Sequence, residues 1–302
     1  MSRIKIIGRL LSFVLLLAVT TSCSTIAQQR TSTIKSAGTP GGDWILVFSD
    51  EFTDTALNKE VWTTWFPYTH DGSDQCAFCR THGNENQVFL DRNIVIKDGI
   101  LNIVAKREKA EWMGEHRNFT SAMIHARNAY GHGRYEVRSK LPAGEGFWPG
   151  IWTFGQISAE VDLMEAGMQN PERFHASVHN WLIKKMKHKR IKVGVDLSDD
   201  FHVYAMEWDE NSIKFFFDDM QVWELCRYAT RRGNNPRNCN VRKKSYVQQP
   251  VFPPDNEKLY LIIGMGIGNE TTPFTGTPKE TTVFPNQLQV DYIRIYERKK
   301  TN

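Results

Sequence analysis

The sequence predicts an all-β chain folded as a two-sheet sandwich or jelly roll, and three observations carry that reading. Short runs rich in Val, Ile, Phe, Tyr and Trp recur along the chain: ILVF at 45–48, NIVIKDGILNIVAKRE at 93–108, GRYEVRSKL at 133–141, FHVYAMEW at 201–208, IKFFFDD at 213–219, LYLIIGMG at 259–266 and QVDYIRIYE at 289–297. Gly, Asn, Asp or Pro separates one run from the next, as turns between strands require. No segment has helical periodicity of useful length, and no repeat of about 20–50 residues is present.

The elements follow in order. MSRIKIIGRL carries Arg3, Lys5 and Arg9 and no acid, and LLSFVLLLAV and TTSC follow it. A basic start, a short apolar core and small residues before a cleavage point describe a secretory signal over residues 1–22. The apolar run is too short to span a bilayer as a helix. Cys23 directly after the small residues resembles the bacterial lipoprotein box. The expectation is cleavage before Cys23, lipid on its sulfur, and an exported chain held at the bacterial cell envelope; plain secretion is the alternative. Residues 23–42 are polar, small and Pro/Gly-ended, which reads as a flexible tether. One domain over 43–298 then holds all the strand-like runs, and 299–302 is a short tail. KDG at 97–99 and FDDM at 217–220 read as hairpin turns. A two-sheet fold of this size buries a full core.

Charge says little about partners. The leader holds three of the 38 bases and none of the 34 acids, so the rest of the chain has a net charge of +1 rather than +4. Near-neutrality and the export signal argue against a nucleic-acid partner. Besides Cys23, four cysteines remain: Cys76, Cys79, Cys226 and Cys239. Four cysteines allow three pairings, and an oxidising compartment favours disulfides. A zinc site ranks below that, because Cys226 and Cys239 are irregularly spaced and distant from CAFC.

The chemistry concentrates in SAEVDLMEAG at 158–167, where Glu160, Asp162 and Glu165 stand among apolar neighbours. On a strand, Glu160 and Asp162 share one face while Val161 and Leu163 share the other. Glu165, three beyond Asp162, points the wrong way. One bulged residue near Leu163–Met164 returns it to the acid face. Three carboxylates so close cannot all ionise at ordinary pKa values. Retaining glycoside hydrolysis uses two carboxyls about 5–5.5 Å apart. Four effective strand steps put the Glu160 and Glu165 backbones ~13 Å apart, a gap that two inward-leaning glutamates largely close. Asp162 between them can share a proton and hold the other pKa values apart. A calcium site or a solvated acidic edge is the alternative. Calcium loops draw oxygens from Gly- and Asn-rich turns, which this stretch lacks.

E-V-D-L-M-E at 160–165 resembles the active-site motif of glycoside hydrolase family 16 in its bulge-containing form, the family of laminarinases, agarases, porphyranases and carrageenases. The resemblance extends to YGHGRYEVRSKLPAGEGFWPGIWTFG (130–155), DFHVYAMEWDENSIKFFFDD (200–219), FPNQLQVDYIRIYE (284–297) and FSDEF (48–52), and so covers most of 44–298 in the family's order. It implies a curved, concanavalin-like jelly roll with an open concave cleft. It also implies endo-cleavage of a β-linked polysaccharide with retention and no catalytic cofactor. By position, Glu160 is implied as nucleophile, Asp162 as its supporting partner and Glu165 as general acid/base.

Sugar-binding residues follow on the same basis. Trp148 and Trp152 lie four apart, hence on one strand face, and resemble the family's cleft tryptophans; core packing is the alternative. Asn84 and Glu85 resemble an Asn–Glu pair that binds sugar hydroxyls on the non-reducing side, with plain loop residues as the alternative. His179 resembles a cleft histidine on the neighbouring strand, with a structural histidine as the alternative, and Trp181 shares its face. The resemblance implies a structural calcium ion on the side away from catalysis, for which Glu51, Gly99 and Asp291 stand by position to supply oxygens; a simple strand-end acid is the alternative for Asp291.

Two departures bear on substrate. Met123 stands where the family often has Arg, and GMGIGNETTPFTG (264–276) lacks the Trp that many β-1,3-glucanases carry there. Two basic stretches, KKMKHKRIK (184–192) and RYATRRGNNPRNCNVRKK (227–244), read by default as solvated loops; beside a sugar cleft they would bind sulfates or carboxylates. The resulting expectation is a monomeric retaining endo-β-glycanase acting on a β-1,3-glucan. A hydrolase of a sulfated galactan is the alternative. A non-catalytic carbohydrate-binding protein or a transglycosylase on the same scaffold stands behind both.

Overall fold

A computed structural model describes residues 43–83, 85–272 and 274–299. Cys23, the leader and the tether lie outside the described residues, as do Asn84 and most of the tail. Two antiparallel sheets pack face to face. One sheet orders its strands Met220–Cys226, Ser212–Phe217, His202–Trp208, Gly133–Lys140, Asn286–Arg298, Ile100–Ala105 and Ile94–Lys97, with Trp44–Asp50 added on Asn286–Arg298. The other orders them Lys185–Lys192, Arg173–Asn180, Ala159–Glu165, Phe147–Gly155, Leu259–Ile267, Met123–Tyr130 and Trp62–Thr63. The result is the two-sheet jelly roll that the alternating runs predict.

The core lies between the sheets. Tyr135, Val137, Leu101, Ile103, Tyr204 and Phe215 enter it from the first sheet, and Val161, Leu163, Met164, Ile151, Phe174 and Ile263 from the second. Apart from the adjacent Leu163 and Met164, each comes from the inward positions of its strand, as period-two alternation demands. Both foreseen hairpins form. Lys97 pairs with Ile100 across Asp98 and Gly99, at φ 53° and 74°. Phe217 pairs with Met220 across Asp218 and Asp219, also at positive φ. Neither of the latter is glycine. Asp218 is held there by accepting from Val203 N at 2.8 Å while its other oxygen meets His202 Nδ1 at 2.7 Å.

The cysteines form two disulfides, Cys76–Cys79 and Cys226–Cys239. The first staples the loop that walls the cleft. The buried Arg80 braces that loop: its guanidinium lies 5.4 and 5.2 Å from the ring centroids of Trp65 and Trp112 and pairs with Asp74 and Asp91.

The basic stretch 184–192 corrects the loop expectation. Lys185–Lys192 is a strand, the edge of the seven-stranded sheet. Only Ile191 of its residues is buried, so it carries little apolar alternation to read. Lysines along an exposed edge also discourage pairing with another chain. The second stretch is mostly turns, with a short strand at Tyr228–Ala229 paired to Val247–Gln248.

Glu51 follows the last paired residue of Trp44–Asp50 and Gly99 precedes the first of Ile100–Ala105, and both strands pair with Asn286–Arg298 on either side of Asp291. Carboxylates and a peptide carbonyl are calcium-type ligands. Both carboxylates are already taken. Glu51 accepts from Arg294 Nε and Nη2 at 2.8 and 3.0 Å, and Asp291 pairs with Arg138. Glu51 and Asp291 thus stand in ion pairs, and a calcium ion here would have to share their carboxylate oxygens with Arg294 and Arg138.

Candidate active site

The acid strand is Ala159–Glu165, and its bulge falls where the spacing requires one. Ile151 pairs with Met164 and Trp152 with Asp162, which leaves Leu163 without a cross-strand partner. On the other edge Asp162 pairs with Ser177 and Glu165 with His175. Leu163 and Met164 therefore both turn into the core, and Glu160, Asp162 and Glu165 emerge together on the open face.

A buried carboxylate fixes the start of this strand. Glu257, 1% exposed, accepts from the backbone N–H groups of Ile157, Ser158 and Ala159 at 2.8, 3.0 and 3.2 Å. A Cβ on Gly155 would come within 2.7 Å of that carboxyl, so glycine is needed there.

Each acid has a distinct set of partners. Glu160 Oε2 accepts from Trp181 Nε1 at 2.9 Å. Asp162, almost fully buried, accepts from Ser177 Oγ at 2.6 Å and lies 3.0 Å from His179 Nε2. Glu165 Oε1 accepts from Trp148 Nε1 at 3.2 Å. Burial pushes Glu160 up to about 7, and the neighbouring Asp162 adds to the shift. Burial also lifts Asp162 to about 7, against the pull of the Ser177 hydrogen bond. Glu165 is raised well above the ordinary carboxyl range, first by burial and then by Asp162 and Glu160. One such set can hold protons at neutral pH while still exposing an anion, which general acid–base chemistry needs.

The cleft around the acids has a volume of about 310 Å³, and Trp148, Trp152, Glu85, His179 and Trp181 all line it. His179 is both a cleft residue and a partner of Asp162, and its ring stacks on Trp181 at 5.5 Å. Trp152 rests on Phe66 and on a small cluster containing the buried Met123. The cleft continues past Glu160 into a space of about 710 Å³ bordered by Tyr68, His125, Phe154 and Tyr260. Past Glu165 lies a further pocket of about 300 Å³.

Several cleft residues escape a sequence reading. Phe66 and His82 come from the loop before the disulfide-stapled turn and just after it. His82 Nδ1 lies 2.6 Å from Glu85 Oε1. Burial works to lower the His82 pKa, but Glu85 outweighs it and the pKa is raised. Ser177 sits two residues before His179, and alternation alone would have placed it beside Asp162. The segment 264–276 has no tryptophan, but its Phe274 brings an aromatic ring to the site, 5.2 Å from Trp148 and 5.0 Å from His175.

Two groups of side chains bring metal-ligand atoms within 4.8 Å of one another among the described residues. One is Glu224 with Cys226 and Cys239, whose sulfurs are joined to each other. The other is Glu160, Asp162 and His179, whose oxygens already accept from Trp181 and Ser177.

Comparison with known proteins matches this geometry. The model of the family described as Glycosyl hydrolases family 16 matches residues 83–248. A beta-glucanase from Rhodothermus marinus is 30% identical, over 93% of this chain and 92% of its own length. A glucan endo-1,3-beta-glucosidase from Cryptopygus antarcticus is 29% identical, over 84% of this chain and 92% of its own. The solved laminarinase catalytic domain from Thermotoga maritima superposes with a TM-score of 0.68 at 25% identity, covering 86% of this chain and all of that one. Shared sequence across the bulged acid strand and a shared two-sheet sandwich make this chain a member of glycosyl hydrolases family 16, and so a glycoside hydrolase.

Proposed function

We propose that the protein is a retaining endo-β-glycanase that hydrolyses β-1,3-glucan. The observation that carries the mechanism is Asp162 between two glutamates, with all three carboxyls raised. Glu165 enters the reaction protonated and gives its proton to the glycosidic oxygen as the bond to the leaving sugar breaks. Glu160, ionised, attacks the anomeric carbon and forms a glycosyl ester. Glu165, now a carboxylate, takes a proton from water, and that water displaces Glu160 with a second inversion. Ser177 and His179 hold Asp162 in place, and Asp162 takes up the proton that Glu160 must lose. Trp148, Trp152 and Trp181 offer flat faces to sugar rings, and Glu85 offers acceptors for hydroxyls. The cleft continues past Glu160, and a separate pocket lies past Glu165, an arrangement that suits a polymer lying across the acids. The glucan assignment rests on relatives named as beta-glucanase, glucan endo-1,3-beta-glucosidase and laminarinase.

The test is release of new reducing ends from laminarin, with Glu160→Gln as control. Cleavage lost in the control supports the reading; full activity in the control removes Glu160 from its role. A lipid anchor on Cys23 extends the proposal, supported by the basic start, the apolar run and the small residues before it. Incorporation of labelled fatty acid that persists in Cys23→Ser would rule it out.

A further inference from the structure

The pocket beyond Glu165 has a chemistry that a neutral glucan does not need. Register shows which side chains face it. Ser177 and His179 reach Asp162, so the odd-numbered residues of Arg173–Asn180 point to the open face. Their partners on the edge strand are Lys192 opposite Arg173, Arg190 opposite His175, His188 opposite Ser177 and Met186 opposite His179. Lys185, Lys187 and Lys189 point the other way, and Lys187 Nζ donates to Gly233 O at 2.8 Å. The basic strand thus divides, and only one of its faces serves the cleft.

On that face Arg173 and Arg190 border one pocket with Gln169, Asn170, His175 and Phe274. No carboxylate lines it. Neither guanidinium has a hydrogen-bond or ion-pair partner among the described residues. By contrast, Arg80, Arg134, Arg138, Arg227 and Arg294 all hold acids. Gln169 donates to Phe274 O at 2.5 Å, which leaves its Oε1 buried with no donor. Phe274 joins the pocket to Trp148, which holds Glu165, so the pocket lies on the leaving-group side of the acids.

We propose that this pocket is a subsite for an anionic substituent, a sulfate ester or a carboxylate, carried by a sugar on the leaving-group side of the bond being cleaved. Arg173 and Arg190 bind its oxygens through charge-assisted hydrogen bonds, for which planar guanidinium forks are well shaped. Phe274 covers the apolar face of the same ring. His175 stays neutral beside them. Burial, then the charges of Arg190, His188 and Arg173, lower its pKa to about 4, so it adds no charge but keeps a ring N–H or a lone pair for the sugar. This subsite rests on the proposed roles of Glu160 and Glu165 only for its direction.

The test uses the full chain carrying Glu160→Gln, so that ligand survives. Affinity is measured for laminarin oligosaccharides and for their sulfated and carboxymethylated forms. The expected result is at least about tenfold tighter binding of one or both anionic forms, and which form gains tells sulfate from carboxylate. Arg173→Gln with Arg190→Gln should bring the anionic-to-neutral ratio near one. Lys185→Gln with Lys189→Gln removes the same charge from the opposite face and should leave the ratio as it was. Equal affinity for all three ligands overturns the subsite. A ratio untouched by the arginine changes, or equally lowered by the lysine changes, overturns it too. Hydrolysis of neutral laminarin by the unaltered enzyme is scored separately, so failure of the glucan reading shows there and not in this ratio.

Discussion

Trp181 Nε1 donates a hydrogen bond to Glu160 Oε2 at 2.9 Å. The donor is an indole half in solvent, with 51% of the residue exposed, stacked on His179 rather than packed in the core. An N–H aimed at a carboxylate favours its ionised form, and the Glu160 pKa is lower for it than burial and Asp162 would leave it. Trp181→Phe keeps an aromatic face and removes the donor. A hydrogen bond to a charged group is worth roughly 1.5–3 kcal/mol, less where water competes, so kcat on laminarin should fall about tenfold. The acidic limb of the pH–kcat profile should move to higher pH, because Glu160 becomes harder to ionise. A tenfold loss with an unmoved limb would mean that Trp181 serves only as a stacking surface.

Glu165 has the opposite requirement, since it must hold a proton until the leaving group needs it. Burial and two carboxyl neighbours raise its pKa well above normal. General acid catalysis contributes typically 10²–10⁴-fold, and a good leaving group makes little use of it. Glu165→Gln should therefore slow laminarin cleavage by about 10³-fold. The first step on an activated aryl glycoside, read as a burst of released phenol, should slow less than about tenfold. Equal losses on the two substrates would remove Glu165 from the acid role.

Glu257 touches no substrate and yet holds the acid strand. Its buried carboxylate accepts three backbone N–H groups of the turn at Ile157–Ala159. Glu257→Ala leaves all three without a partner, at a cost of about 3 kcal/mol. Urea unfolding should show the loss. Glu257→Gln keeps one acceptor oxygen and should recover part of it. A variant as stable as the parent would mean that water replaces the carboxylate.

Glu257 also marks the limit of what the sequence discloses. The bulge was legible because three acids and two apolar residues left one residue too many for strict alternation, and Leu163 is that residue. Trp148 and Trp152 were legible from their spacing of four. Glu257 lies about a hundred positions from the turn it holds, in a polar loop without periodicity, and nothing local signals its partner. Phe274, Phe66 and His82 likewise reach the cleft from loops, whose path is set by the disulfide, by Arg80 against its two tryptophans and by tertiary packing. The edge strand Lys185–Lys192 was hidden for a different reason. A strand that buries only Ile191 has no apolar rhythm, and its lysines look like a solvated loop.

The raised carboxyls also make a prediction about stability. Glu160 has a folded pKa of about 7, against an ordinary glutamate value in the unfolded chain. Between those values the folded state binds the extra proton, so stability falls as pH rises through that window. The group's contribution is intact below about pH 4.5 and lost above about pH 7. A shift of that size corresponds to roughly 3 kcal/mol, of which a shared proton leaves on the order of 1–3 kcal/mol to Glu160 alone. Glu160→Gln cannot ionise, and its amide oxygen can still accept from Trp181. It should be more stable than the parent by that amount at pH 8 and no different at pH 4, with urea midpoints as the measure. This is the stability–activity trade-off expected of a site that crowds three acids on one strand. An equal gain at both pH values would point to packing and not charge, and would contradict a raised Glu160.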